Sequence, residues 1–279
     1  MTRDPGPAFR ALHVPGDPFI LANAWDVGSA RMLAALGARA LATSSAAHAF
    51  TLGRADGAVT RDEALAHAAD LVAATPLPVS GDFENGWADD PDGVAETVRL
   101  AGEAGLAGLS IEDVPGAASG EAYGFEQAVE RVRAASAAAR APGRDLFFLA
   151  RADGVMTGAY DMAEGLRRVR AFEAAGADGV YLPLPPDMDA LGEVCRAVSV
   201  PVNALAAGPF THVSRAAFAA LGVARISLGS ALARATHRLI ADAAEAMFER
   251  GDFTPLSRSI GGTAVDAMLE KGSRGDAGA

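Results

Sequence analysis

The chain has 279 residues, half of them hydrophobic and 21% charged. That length suits a single large α/β domain, and the apolar content excludes disorder for the bulk of it. A formal net charge of −11 disfavours nucleic acid and membrane surfaces as partners, yet leaves a small anionic substrate open, because local cations can override the overall field.

In chain order, the opening MTRDPGPAFR carries no apolar signal-peptide core, and the first dozen or so residues read as a loose end. With no run of eighteen apolar residues anywhere, a cytoplasmic protein is expected. The first strand is expected at FILANAW, residues 19–25, closed by Trp25 and Asp26. ALATSS from Ala40 is the second, ending in Ser44 and Ser45. His48 follows and reads as a packed or exposed imidazole. Thr60-x-x-Glu63 then forms a capping box at the start of a helix. LPVSGDFE from Leu77 ends in Asp82-Phe83-Glu84, and GLSIEDV from Gly108 ends in Glu112-Asp113. Strand alternation turns Asp113 away from Glu112, toward a structural role. LFFLARAD from Leu146 ends in Arg151-Ala152-Asp153. GVYLPLP from Gly179, VPVNALA from Val200 with Asn203, and RISLG from Arg225 complete eight strands. Cys195, the sole cysteine, falls in a helix and is expected to be buried and inert; no intrachain disulfide is possible. An extra helix is expected near the end, before a Gly-rich tail. That tail holds Lys271, the sole lysine, so lysine Schiff-base and pyridoxal-phosphate chemistry is not expected.

Eight apolar runs alternating with helices predict a (β/α)₈ TIM barrel forming one domain over 1–279, with the barrel at about 19–250 and an extension at 251–279. A doubly wound sheet is the competing topology. It usually brings G-x-G-x-x-G after its first strand, and AWDVGSARM lacks that pattern. Barrel active sites lie at the C-terminal ends of the strands, where this sequence collects carboxylates, one guanidinium and small hydroxyls. Crowded carboxylates call for a cation, and an all-oxygen donor set suits Mg²⁺ or Mn²⁺. The Arg151 fork would pair with a substrate carboxylate, giving a site for a small 2-oxo acid. Blander readings stand beside these. Asp82 and Glu84 could be a solvated strand end. Arg151 could close an ion pair with Asp153 or Glu112. Trp25 could be core or a lid over the ligand.

The ordered set of motifs resembles the isocitrate lyase/phosphoenolpyruvate mutase superfamily. Its D-x-D-x-G-aromatic reads Asp82-Phe83-Glu84-Asn85-Gly86-Trp87, its I-E-D reads Ile111-Glu112-Asp113, and its A-R-T-D reads Ala150-Arg151-Ala152-Asp153. Its strand-two loop reads Ser44-Ser45 through Leu52-Gly53-Arg54-Ala55-Asp56. The resemblance implies Asp82 as direct metal ligand, with Glu84, Glu112 and Asp56 holding metal-bound waters. It implies Arg151 as the substrate clamp, backbone N–H donors at Ser44, Ser45 and Ala46, and Asn203 as a contact to the substrate carboxylate. It further implies a homo-oligomer, a tetramer or dimer, exchanging a C-terminal helix. The loop after Glu112 departs from the family: VPGAASGEAYG, residues 114–124, has no Cys, Lys or His. Only Ser119, Glu121 and Tyr123 offer polar side chains there, with Glu121 or Tyr123 as acid/base on a closing loop. The implied function is a Mg²⁺-dependent carbon–carbon lyase acting through a pyruvate-type enolate, of oxaloacetate-decarboxylase or methylisocitrate-lyase type. The alternatives are a 2-oxo-acid-binding barrel with little turnover, and phosphorus–carbon chemistry on a phosphonopyruvate-like substrate.

Overall fold

The eight apolar runs form eight parallel strands that close into a barrel in sequence order. The computed structural model describes residues 4–274 except 117, 118, 142 and 144. The strands are β1 (Phe19–Asn23), β2 (Leu41–Ala42), β3 (Val79–Asp82), β4 (Gly108–Glu112), β5 (Phe147–Arg151), β6 (Gly179–Tyr181), β7 (Val202–Leu205) and β8 (Arg225–Ser227). Each is shorter than its apolar run because the ends turn out into loops.

Parallel strands bury both faces, and the period of two sorts the side chains between them. On β4, Leu109 and Ile111 join the layer shared with the surrounding helices, while Ser110 and Glu112 face the barrel interior. Phe19, Leu21, Phe147 and Leu149 fill the lower interior. Register then sets the upper rim: Asp82 pairs with Ser110, Glu112 with Arg151, and Arg151 with Tyr181.

Residues 6–10, expected to be part of a loose end, are ordered. A short helix, Gly6–Arg10, closes the N-terminal mouth of the barrel. Phe9 is fully buried there, edge-on to Phe19 and Phe147, and Gly108 leaves the room it needs: a Cβ would meet the Phe9 ring at 2.7 Å. Arg10 fixes the plug with ion pairs to Asp145 at 2.6 Å and Asp178 at 2.9 Å. Five residues are too few to show a helical period, so the sequence carries little sign of it.

His13 completes the plug, stacked 3.9 Å from the Phe147 ring. Burial, reinforced by the Arg225 charge, pushes its imidazole down to about 3. Between that value and the ordinary 6.5, the unfolded chain takes a proton that the folded one refuses, so stability falls as pH falls. At pH 5 the loss amounts to about 2 kcal/mol from this residue. Urea unfolding at pH 7 and pH 5 should show a drop smaller by about that amount in His13→Phe; an equal drop in both proteins would remove His13 as the cause.

The Thr60–Glu63 capping box forms as read, and Asp26 caps the Val27–Ala35 helix in a second box with Ser29. The extra C-terminal helix is present at Gly262–Arg274 and packs against the Val27–Ala35 helix, with Gly272 against the Arg31 backbone. It is reached through a 20-residue helix, Ala231–Arg250, that leaves Leu239, Ile240 and Phe248 exposed. Cys195 is half-buried, and burial pushes its thiol up to about 11, which keeps it protonated and unreactive. Among the described residues, no helix is long and apolar enough to cross a membrane.

Candidate active site

Three strand ends meet at one guanidinium. Arg151, at the end of β5, donates through Nη1 to Asp82 Oδ1 from β3 at 2.9 Å. The same Nη1 lies 2.9 Å from Glu112 Oε1 on β4. Its other edge grips Asp153, Nη2 to Oδ2 at 2.6 Å and Nε to Oδ1 at 3.0 Å. The Tyr181 ring lies 5.1 Å from the guanidinium carbon. Burial alone would lower the Arg151 guanidinium, but Asp153, Glu112 and Asp82 more than offset it and hold it well above its usual value. The sequence left a substrate clamp and an ion pair open for Arg151. The structure makes the ion pairs, because the surrounding charge is strongly negative.

Asp82 is held from the other side by the loop after β2. Its Oδ2 accepts from the Ser45 N–H at 3.0 Å and lies 3.2 Å from the Ser45 hydroxyl, while Thr43 Oγ1 accepts from the Asp82 N–H at 2.7 Å. Ser44 caps the Ser45–Thr51 helix, so the first turn of that helix opens beside Asp82. One of the expected backbone donors, Ser45 N–H, is thus engaged by Asp82. Ser44, Ser45 and Ala46 all line the cavity.

That cavity is about 210 Å³, at the C-terminal mouth of the barrel. It is smaller than the roughly 300–1,000 Å³ of drug-sized sites, so a small acid fits it better than a nucleotide. Asp56 stands at its rim, its carboxyl raised by burial and the Asp82 charge, with Ser45 as a hydrogen-bond partner. Burial also raises Glu112 well above the usual carboxylate range, against the pull of Arg151. Glu84 lies behind Asp82, in a side cavity shared with His48 and His67. Its φ of 43° is a left-handed conformation rare for a side-chain-bearing residue, the kind of strain that collects at functional sites. Burial first, then the charges of Asp82 and Asp56, push Glu84 up to about 7, and its Oε1 is buried without a partner.

Asp56, Asp82, Glu84, Glu112 and Asp153 thus crowd around Arg151, an excess of negative charge made wholly of oxygen donors. Among the described residues, no three His, Cys, Asp or Glu side chains stand close enough to ligate one ion directly.

Other residues singled out by the sequence lie elsewhere. Asp113 does point away: it accepts from Arg168, the Tyr160 hydroxyl and the Asp153 N–H in a buried network. Asn203 lies beneath the cavity, donating to Ser227 at 2.9 Å and accepting from Arg225 at 2.8 Å. Trp25 is half-buried outside the cavity lining, its carbonyl 3.0 Å from His67 Nε2. Glu121 is solvent-exposed, outside the cavity lining. Tyr123 is tied to Asp89 and Asn85. His48 is packed, stacked 3.8 Å from His67. Sequence reasoning passed over Tyr181, Ser227 and Arg225 as lining residues; the signal available was polar residues at alternate positions of β8, Arg225 and Ser227, within an otherwise apolar run.

The family described as phosphoenolpyruvate phosphomutase matches residues 9–248. An uncharacterized protein of Mycobacterium tuberculosis (strain H37Rv) is 35% identical over 266 residues, covering 94% of this chain and 96% of the relative. An oxaloacetate decarboxylase of Ectopseudomonas mendocina is 33% identical over 202 residues, 70% of this chain and 68% of that protein. A crystal structure from Burkholderia cenocepacia J2315, named as a lyase/mutase candidate, superposes with a TM-score of 0.91 at 43% identity and covers 96% of both chains. With these matches spanning the barrel and its rim, the chain belongs to the phosphoenolpyruvate phosphomutase family, within the isocitrate lyase/phosphoenolpyruvate mutase superfamily.

Proposed function

We propose that the chain is a lyase that breaks a carbon–carbon bond of a small 2-oxo or 2-hydroxy carboxylic acid by way of a pyruvate-type enolate. The observation that carries this reading is the convergence of Asp82, Glu112 and Arg151, from three separate strands, on one small cavity beside a helix N-terminus. A divalent cation held among these carboxylates would make such a place suit a negatively charged oxygen.

The residues present fit a divalent cation. All the donors are oxygen, and one of them (Glu84 Oε1) is buried without a partner. In this reading Asp82 ligates Mg²⁺ (or Mn²⁺) directly, and Glu84, Asp56 and Glu112 reach it through water, the way Mg²⁺ is usually held. When bound, the cation supplies positive charge where the enolate develops. Arg151 and the first-turn N–H groups near Ala46 orient the acid, and the barrel walls exclude water from the enolate.

Decarboxylation of an oxaloacetate-type acid is the reaction we place first. The C3–C4 bond breaks, CO₂ leaves, and the electron pair passes into C2–C3 to give the enolate, which then takes a proton at C3. Bond breaking needs no base, which agrees with a 114–124 loop that carries no Cys, Lys or His. The oxaloacetate decarboxylase relatives support the same choice. The test is a panel of oxaloacetate, 2-methylisocitrate and phosphonopyruvate with Mg²⁺, following pyruvate above the rate given by the metal alone. Oxaloacetate should yield pyruvate, chelator should abolish it, and Asp82→Ala should lower it by about a thousand-fold. Tight binding with no product from any of the three would replace the lyase with a 2-oxo-acid-binding barrel.

A further inference from the structure

The side cavity behind Asp82 is walled by the Ser45–Thr51 and Arg61–Ala74 helices and by the turn after β3. At about 10 Å³ it has room for a single water molecule. Two residues that line it each carry a buried polar atom with no hydrogen-bond partner among the described residues, His48 Nδ1 and Glu84 Oε1. The two atoms do not bond each other, so direct contact leaves both unsatisfied. A buried polar group in that condition is costly.

One water satisfies both. One of its hydrogens goes to Glu84 Oε1, and either its second hydrogen or its oxygen serves His48 Nδ1, according to the tautomer. Thr43 and Ser44 also line the cavity. Their hydroxyls accept the backbone N–H groups of Asp82 and Ala47, which leaves each a hydrogen to donate. Three partners are what a buried water usually finds. The His48 ring is itself fixed: it stacks 3.8 Å from His67, whose Nε2 lies 3.0 Å from the Trp25 carbonyl.

Glu84 has particular need of such a support. It takes the place of the second Asp in the D-x-D-x-G pattern, and its extra methylene adds a rotatable bond. Its backbone is pinned, at a φ of 43° and with the carbonyl accepting from the Glu112 N–H at 2.7 Å, but its Oε1 is not. Resting on the reading above, in which Glu84 reaches the cation through water, we propose that His48 is a positioning residue. Through one bridging water it holds the Glu84 carboxylate in place, and so sets how tightly the site binds its metal.

The test titrates Mn²⁺ into the protein by calorimetry. His48→Phe keeps a ring against His67 but removes Nδ1, and Mn²⁺ should then bind about ten-fold more weakly. His48→Asn gives up the ring and returns a polar atom close to the place of Nδ1, so it should stay within about three-fold of wild type. In a Glu84→Ala background, His48→Phe should cost less than about two-fold further, because the group it acts through is gone. Equal weakening by Phe and Asn would trace the effect to packing, and weakening that persists without Glu84 would trace it to another group; either overturns the role of His48. So does a His48→Phe protein that binds Mn²⁺ as tightly as wild type. A high-resolution crystal structure of the wild type gives a check that needs no variant to fold. One ordered water within hydrogen-bond distance of both His48 Nδ1 and Glu84 Oε1 is expected, and a dry cavity overturns the bridge. Wild-type protein that binds no Mn²⁺ even at millimolar concentration overturns the cation reading itself.

Discussion

Arg151→Met is expected to abolish pyruvate formation and to lower stability by about 3–5 kcal/mol, the usual consequence of removing one partner from a buried ion cluster. The size of the effect follows from what the side chain holds together. Asp82, Glu112 and Asp153 come from three strand ends, and the one guanidinium that joins them has a side chain only 12% exposed. With methionine there, three carboxylates face each other across a small cavity. Protonation of Glu112, already held high by burial, relieves part of the repulsion, so the deficit should grow as pH rises. Arg151→Lys supplies a point charge in place of a fork and should recover stability better than turnover. Urea unfolding and kcat/KM measured on the same preparations separate the two effects. An unchanged kcat/KM would remove Arg151 from the site.

Asp113→Ala carries the second large expectation, a loss of about 3–5 kcal/mol, again from stranding a buried charge. Asp113 is 2% exposed and Arg168 4%, so water cannot take the place of the missing carboxylate. The same substitution frees the Tyr160 hydroxyl and the Asp153 N–H. Since Asp153 grips two nitrogens of Arg151, kcat/KM should fall as well, although Asp113 never meets the cavity. Combining Asp113→Ala with Arg168→Met should recover much of the stability, because both charges are then gone. A loss below about 1 kcal/mol for Asp113→Ala alone would mean that Arg168 is adequately paired by Glu164.

The barrel was legible because parallel strands buried on both faces read as nearly continuous apolar runs, and a charged residue at the end of such a run marks the rim. Glu112 and Asp113 show how far that logic reaches: alternation alone sent one carboxyl inward and its neighbour into the wall. It stopped at three places. The plug of Gly6–Arg10 is too short to carry a period. On β8 the alternation of Arg225 and Ser227 hints at one face, but three residues are too few to say that this face turns inward until the register with Asn203 on β7 is known. Side chains on loops, such as Glu121 and Trp25, have no periodicity to orient them, and both fall outside the cavity lining.

The plug ties the chain's first turn to partners made much later. Arg10 waits for Asp145 and Asp178, 135 and 168 residues downstream. A nascent chain leaving the ribosome therefore carries Phe9 and His13 unburied until more than half of the polypeptide has been synthesised, and sealing of the barrel floor is a late step in folding. The same geometry seats the Gly6–Arg10 helix on the face opposite the cavity mouth, so changes to that helix's exposed side leave the cavity entrance unobstructed.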